Sequence, residues 1–238
     1  MEAILIGIDD TDNDTSPGTG RVARRLGEEL ARRGARLTGI TRHQFLKDPR
    51  IPYTSHNSGA CLAIEWGGAI AELRFVMDLI GQWAAPGSDP GVCIAGVQSV
   101  NAAVMEWGWK ATDRVLTMEQ AVALATSSGL DLAALGGTGQ GIIGALASVG
   151  LRADGNEGRF LDLPGLRELG GRVGLQDLKR VGIDVQHRTW PGNAQPVYNT
   201  LDWVRPRLMN GRPVWPVEWS NDEHAWMPVD RKKERRLE

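Results

Sequence analysis

Ile4, Leu5, Ile6 and Ile8, interrupted only by Gly7, predict a buried strand at the start of the chain. Behind it the period changes. Val22, Leu26 and Leu30 recur at a spacing of four beside Ala23 and Gly27, while arginines and glutamates fill the other face, so residues 20–34 predict an amphipathic helix. Thr19 stands where an N-cap belongs and Gly34 where a helix stop belongs. Strands are predicted over residues 36–45, 60–66 and 91–100, and a helix over 69–83 from Ile70, Leu73, Val76, Leu79, Ile80 and Trp83. Thr117-Met118-Glu119-Gln120 has the form of a capping box opening a helix through residue 125. The alternation within residues 67–134 predicts a ferredoxin-like α+β unit. Residues 130–135 do not read as a strand, whereas Ile142, Ile143, Ala145, Leu146 and Ala147 continue in helical style. A strand near 159–163, a helix near 175–181 and a strand over 183–188 follow. Trp190, Trp203, Trp215, Trp219 and Trp226 then crowd a Pro-rich stretch. Pinning an extended tail to a core is the favoured reading over an aromatic cage for a base or cation.

Composition narrows the class. With 238 residues, 42% hydrophobic and 24% charged, the chain reads as an ordinary globular protein. A net charge of −2 gives no overall basic field of the kind that marks a nucleic-acid binder. Only Arg231–Arg236 is locally basic, and a solvated terminus accounts for it. Cys61 and Cys93 lie far apart, which offers neither a zinc ribbon nor a disulfide framework and fits a reducing compartment. The expectation is a cytoplasmic protein without a membrane span or leader segment.

The candidate chemistry begins where the first strand ends, at Asp9, Asp10, Asp12 and Asp14. Such a run describes a solvated turn as well as a metal site. Crowded carboxylates repel, and Mg²⁺ suits one or two of them plus substrate phosphates. The following helix start offers free N–H groups and positive potential, a ready anion site. Arg42 and His43 close the second strand. Thr54, Ser55, His56, Asn57 and Ser58 form a polar block able to meet phosphate oxygens or a nucleoside. Gly136, Gly137, Thr138, Gly139 and Gly141 match neither a Walker A loop nor a dinucleotide fingerprint, yet glycines before a helix permit close backbone approach to a ligand. A flexible hinge or small-residue helix packing explains the same glycines.

Taken in order, Gly7-Ile8-Asp9-Asp10-Thr11-Asp12 with its Gly-Thr turn, Ile51-Pro52-Tyr53 leading to Gly59-Ala60, and Ile142-Ile143-Gly144-Ala145-Leu146-Ala147 resemble the catalytic half of the archaeal agmatinylcytidine synthetases, which modify the wobble cytidine of an isoleucine tRNA. The resemblance implies an α+β fold, a kinase-like ATP-binding α/β core packed with a ferredoxin-like domain. Residues 1–66 would begin the core, 67–134 form the ferredoxin-like region, and 135–238 hold the glycine-rich phosphate loop, the rest of the core and a Trp-rich extension. It implies ATP and Mg²⁺ as cofactors. Asp9, Asp10 and Asp12 would be the metal carboxylates and Thr19 the threonine associated with autophosphorylation. Thr11, Gly18, Gly20, Ser55, Asn57, Ser58 and the glycine block would contact the nucleotide, with Arg42 neutralising transferring charge. His43 and His56 would orient or deprotonate a nucleophile. The reaction implied is phosphorylation of a substrate oxygen, then displacement by an amine.

The departures are specific. The family's Cys-Thr-Thr-Tyr reads Gly18-Thr19-Gly20-Arg21, and its Lys-Thr-Arg-Gly-Asn reads Thr54–Ser58, without the Lys and Arg. Asp14 falls where the pattern lapses and reads as a turn residue. No Cys cluster exists to build a zinc ribbon, so contact with RNA would require a partner chain or a homodimer surface. Two alternatives follow: a nucleotide- or polyamine-binding module without turnover, and a tRNA-modifying enzyme acting with a partner.

Overall fold

The computed structural model describes residues 1–54, 56–192 and 194–229. The opening apolar run forms β1 (Glu2–Asp9), central in a five-strand antiparallel layer. With β2 (Arg36–Gln44), β3 (Ser58–Trp66), β4 (Gly91–Gly96) and β5 (Asp131–Ala134), the order is β5-β4-β1-β3-β2. Side chains alternate across the layer because the strand period is two. Ile4, Ile6 and Ile8 pack with Val22, Leu26 and Leu30 of α1 (Thr19–Arg32) and with Val76 and Ile80 of α2 (Phe75–Trp83). Leu5, Cys61 and Cys93 point the other way, under α3 (Ala102–Asp113), α4 (Met118–Ser128) and α5 (Gly141–Asp154). Each fully buried Ile or Leu contributes about 2 kcal/mol. Helix α5 lies directly on the strands, because a Cβ at Gly7 would overlap the Ala145 carbonyl and one at Gly91 would overlap the Gly141 backbone.

The sheet continues through β6 (Arg159–Asp162), which pairs with β2, into a second unit with its own core. That unit holds β7 (Arg172–Gly174), α6 (Leu175–Arg180), β8 (Asp184–His187), β9 (Val197–Asn199), β10 (Arg207–Met209), β11 (Arg212–Ser220) and β12 (Ala225–Pro228). Phe160, Leu178, Tyr198, Leu208, Trp215 and Trp226 fill its interior. The β8–β11 and β9–β12 pairs are parallel and the rest antiparallel. The result is a mixed α/β fold with one large, mostly antiparallel sheet running through all three expected segments: β4, from residues 67–134, pairs with β1.

Several expectations need correction. Residues 131–134 do form a strand, short and at the edge of the layer. Helix α3 is an addition to the elements expected from periodicity. The span 69–83 opens as a 3-10 turn, Ile70–Arg74, before α2, and β4 gives way to another at Val97–Ser99. Thr19 is the first residue of α1 rather than its cap; Gly18 caps it, its carbonyl accepting the Arg21 N–H at 2.8 Å. Trp215 and Trp226 are interior residues of a folded sheet unit, not anchors of an extended tail. Ser55 and the basic run at 231–236 lie outside the described residues. No helix among the described residues is long and apolar enough to cross a membrane.

Candidate active site

β1 delivers Asp9 to the edge of the layer, and the chain then turns sharply: Asp10 sits at φ +50°, a left-handed conformation costly for a side-chain-bearing residue. Antiparallel neighbours on both sides hold β1 in place, so the strained residue is held by the sheet. Asp9 and Asp10 line a cleft together with Asp12, Thr54, His56, Asn57, Ser58, Gln140, Gly141 and Gly144. Burial, followed by the charge of Asp10, pushes the Asp9 carboxyl up to about 8. Burial, then the charges of Asp89 and Asp12, raises Asp10 to about 6, with the Asp89 backbone N–H pulling the other way. Gly144 leaves room for the Asp9 carboxylate, which a Cβ there would overlap.

Asp12 does different work. Its Oδ1 accepts the Thr19 N–H at 3.1 Å and the Thr19 hydroxyl at 2.7 Å, and its Oδ2 accepts the Thr54 hydroxyl at 3.1 Å. The Thr11 hydroxyl donates to Thr19 Oγ1 at 3.1 Å. A carboxylate thus already satisfies the start of α1, where it meets the positive end of the helix dipole. Asn13–Ser16 closes a turn, with the Asn13 N–H donating to Ser16 Oγ at 2.8 Å, and leaves Asp14 exposed.

A second cleft lies on the α1 side, lined by Gly18, Thr19, Gly20, Arg21, Arg24 and Arg42. It shares Asp12, Thr54, His56 and Ser58 with the first, so these four form a wall between the two. Arg42 Nε donates to Ser58 Oγ at 2.9 Å. His56 stands on the wall, its pKa lowered by burial first and then by the charges of Arg42 and Lys47.

The structure therefore gathers Asp9, Asp10, Asp12, His56, Asn57, Ser58 and Gly141 at one cleft, and Thr19, Gly18, Gly20 and Arg42 at its neighbour. Thr11 is buried beneath the loop. His43 is not at the site. It is fully buried, with Nδ1 facing Glu157 Oε2 at 2.9 Å and Nε2 meeting Thr41 Oγ1 at 2.8 Å, which corrects its expected role toward a nucleophile. Gly136, Gly137, Thr138 and Gly139 line neither cleft. They form the β5–α5 connection, clasped by Asp89, whose carboxylate accepts the Thr138 N–H and hydroxyl. Gly137 has φ +57°, and a side chain there would collide with Asp89. Asp89 has no sequence signal of its own, because Pro86-Gly87-Ser88-Asp89-Pro90 carries only turn residues.

Among the described residues no three His, Cys, Asp or Glu side chains converge as a ready-made metal site. Asp9 and Asp10 nevertheless fit Mg²⁺ of the kind that keeps waters and takes one or two carboxylates plus phosphate oxygens. Burial disfavours the charge on both, the Asp10 charge adds to this at Asp9 and the Asp89 and Asp12 charges at Asp10, and a divalent cation would relieve that cost.

Part of this mixed α/β fold is shared by solved structures. The apo structure of TiaS, an agmatidine synthetase acting on an isoleucine tRNA, superimposes with a TM-score of 0.54 at 25% identity over 62% of this chain and 35% of that one. The complex of TiaS with its tRNA and ATP matches with a TM-score of 0.54 at 26% identity, covering 63% of this chain and 36% of that one. A tRNA fluorescent labeling enzyme matches with a TM-score of 0.55 at 26% identity, covering 62% and 36%. The chain spans about a third of the length of these structures. No family model and no curated protein matches the sequence.

Proposed function

We propose that this protein is an ATP-dependent, Mg²⁺-assisted enzyme of the kinase/ligase type, related to tRNA-modifying chemistry. In its reaction a phosphoryl group of the nucleotide moves to an acceptor oxygen, and an amine then displaces that phosphorylated oxygen. The observation that carries the reading is the pair Asp9 and Asp10, both raised in pKa at the floor of one cleft, beside the Asp12–Thr19 start of α1. The likeness to a structure holding ATP and tRNA supports it.

Asp9 and Asp10 would hold the ion, which when bound supplies charge neutralisation on the phosphates. Thr19 offers a hydroxyl already hydrogen-bonded to a carboxylate, an arrangement that can take up its proton. Arg42, fixed by Ser58, would stabilise negative charge on the transferring group. His56 has its charged form disfavoured, which keeps the imidazole able to accept a proton from an incoming amine. Gln140 and Gly141 bring the start of α5 to the same cleft.

The test is ATP turnover with and without Mg²⁺ in wild type and in Asp9→Ala. Turnover is expected only in wild type with metal. Metal-independent turnover, or an Asp9→Ala variant as active as wild type, overturns the reading. A module that binds nucleotide without turnover is the second reading. It is favoured by Asp12, whose carboxylate is committed to capping α1, and tight ATP binding with no phosphate release over hours would establish it.

A further inference from the structure

The wall of Asp12, Thr54, His56 and Ser58 separates two clefts of opposite character. Asp9 and Asp10 face one, where Arg50 and Arg114 are each paired with an acid of their own, Asp48 and Asp113, and Arg21, Arg24 and Arg42 face the other. Elsewhere along α1 the arginines are engaged. Arg32 and Arg33 pair with Glu29, and the Arg25 guanidinium lies 3.9 Å over the Trp83 ring. Just past the helix, Arg36 pairs with Glu65. Arg21 and Arg24, the two on the cleft, make no side-chain hydrogen bond or ion pair among the described residues. Arg24 is moreover half-buried, and burial, then the charge of Arg167, disfavours its cation, while the nearby acids Asp162 and Glu28 offset this in part. A half-buried guanidinium that no carboxylate hydrogen-bonds is costly, and a bound anion would complete it. The hydroxyl of Ser58 and the imidazole of His56 add neutral partners on the facing wall.

We infer that Arg21 and Arg24 form a phosphate subsite for the acceptor substrate, which therefore reaches the enzyme as a phosphate ester, while Arg42, bonded to Ser58 of the wall, is left for the transferring group. The inference rests on the function proposed above, since it places the nucleotide on the acidic side of the wall and the acceptor on the basic side. A guanidinium matches phosphate through two parallel N–H···O bonds, and two of them suit a dianionic group better than a single carboxylate. The phosphate can belong to a small phosphomonoester or to a phosphodiester strand. Arg167, beside Arg24, leads from the cleft toward Trp203, over which its guanidinium lies at 4.8 Å, with Arg205 at 4.2 Å; the two also pair with Asp162 and Asp202.

The experiment is calorimetry on the full chain, titrating inorganic pyrophosphate or a single-stranded RNA of about ten nucleotides. Each titration is made with and without saturating Mg²⁺ and a non-hydrolysable ATP analogue. Binding is expected to persist when the analogue is present. It should weaken about tenfold or more in Arg21→Gln/Arg24→Gln and stay unchanged in Arg25→Gln. RNA binding that also falls in Arg167→Gln identifies a phosphodiester strand as the source, and pyrophosphate binding alone identifies a small phosphate ester. Unchanged affinity in the double variant, no binding by wild type, or displacement of both probes by the analogue overturns the subsite. Loss of nucleotide turnover in the function test with the double variant still impaired for pyrophosphate would sink the enzyme reading alone.

Discussion

Asp9 carries a pH dependence that can be read in advance. Its carboxyl is raised to about 8, so between its ordinary value of 3.8 and 8 the folded chain holds a proton there that the unfolded chain has lost. Stability therefore falls as pH rises through that window, and removing the charge restores it. Asp9→Asn is expected to stabilise the metal-free protein at pH 8 by about 2 kcal/mol, a rise of roughly 4–8 °C in melting temperature. Thermal unfolding at pH 5 and pH 8 checks this, because the gain should be much smaller at the lower pH. An equal gain at both would mean that the carboxylate is not the cause. The acids are legible as a group from their place at the end of an apolar run. Their division of labour is not: the left-handed Asp10 and the capping of α1 by Asp12 depend on a loop closing over seven residues. His43 defeats sequence reading because β2 carries register irregularities at Leu37/Gly39 and Ile40/Thr41, and these decide which of Arg42 and His43 faces the cleft.

At the scale of elements, the fit of α5 on β1 positions Gly141 and Gly144 against the acids. Gly7→Ala would drive a methyl group into the Ala145 carbonyl and lift the helix. The expected cost is about 2–4 kcal/mol in urea unfolding, with ATP turnover falling even where the variant remains folded. Wild-type stability in this variant would show that α5 has room to shift. The elements that the sequence discloses are those with strong local chemistry. In α4 the Thr117 hydroxyl accepts the Gln120 N–H while Gln120 Oε1 accepts the Thr117 N–H, a pairing visible as Thr-x-x-Gln. In α1 a clean apolar stripe has the same effect. Helix α3 is hidden because Gly108 and its neighbouring tryptophans, Trp107 buried and Trp109 exposed, blur its apolar face. β5 is hidden because Asp131-Leu132-Ala133-Ala134 has no β-branched residue and owes its conformation to pairing with β4.

Across the whole molecule, two units share one sheet, the first with a core on each face and the second with its own, and the join is narrow. β6 pairs with β2 on one side, and on the other its only register pair with β10 is Arg159 with Arg207. Trp226, wholly buried in the core of the second unit, packs within 4.3 Å of His187 and 5.0 Å of Trp190, measured between ring centres. Trp226→Ala is expected to cost about 3–5 kcal/mol, borne by the second unit. Hydrogen exchange should show protection lost over β8 to β12 while β1, β3 and β4 keep theirs; uniform loss would mean that the two units unfold as one. This long-range joining is beyond sequence reading, since residues near 41 and 160 pair with no spacing signal to connect them.

The bed of glycines beneath α5 has a genetic consequence. Every glycine codon begins with two guanines, and any change in either installs a Cβ or ends the chain. At Gly7 and Gly91 that carbon meets backbone, which no rotamer can move aside. A library of random point variants selected for function should therefore leave these two codons altered only at their third, synonymous base, and deep sequencing of the survivors would show both positions among the gaps in the map.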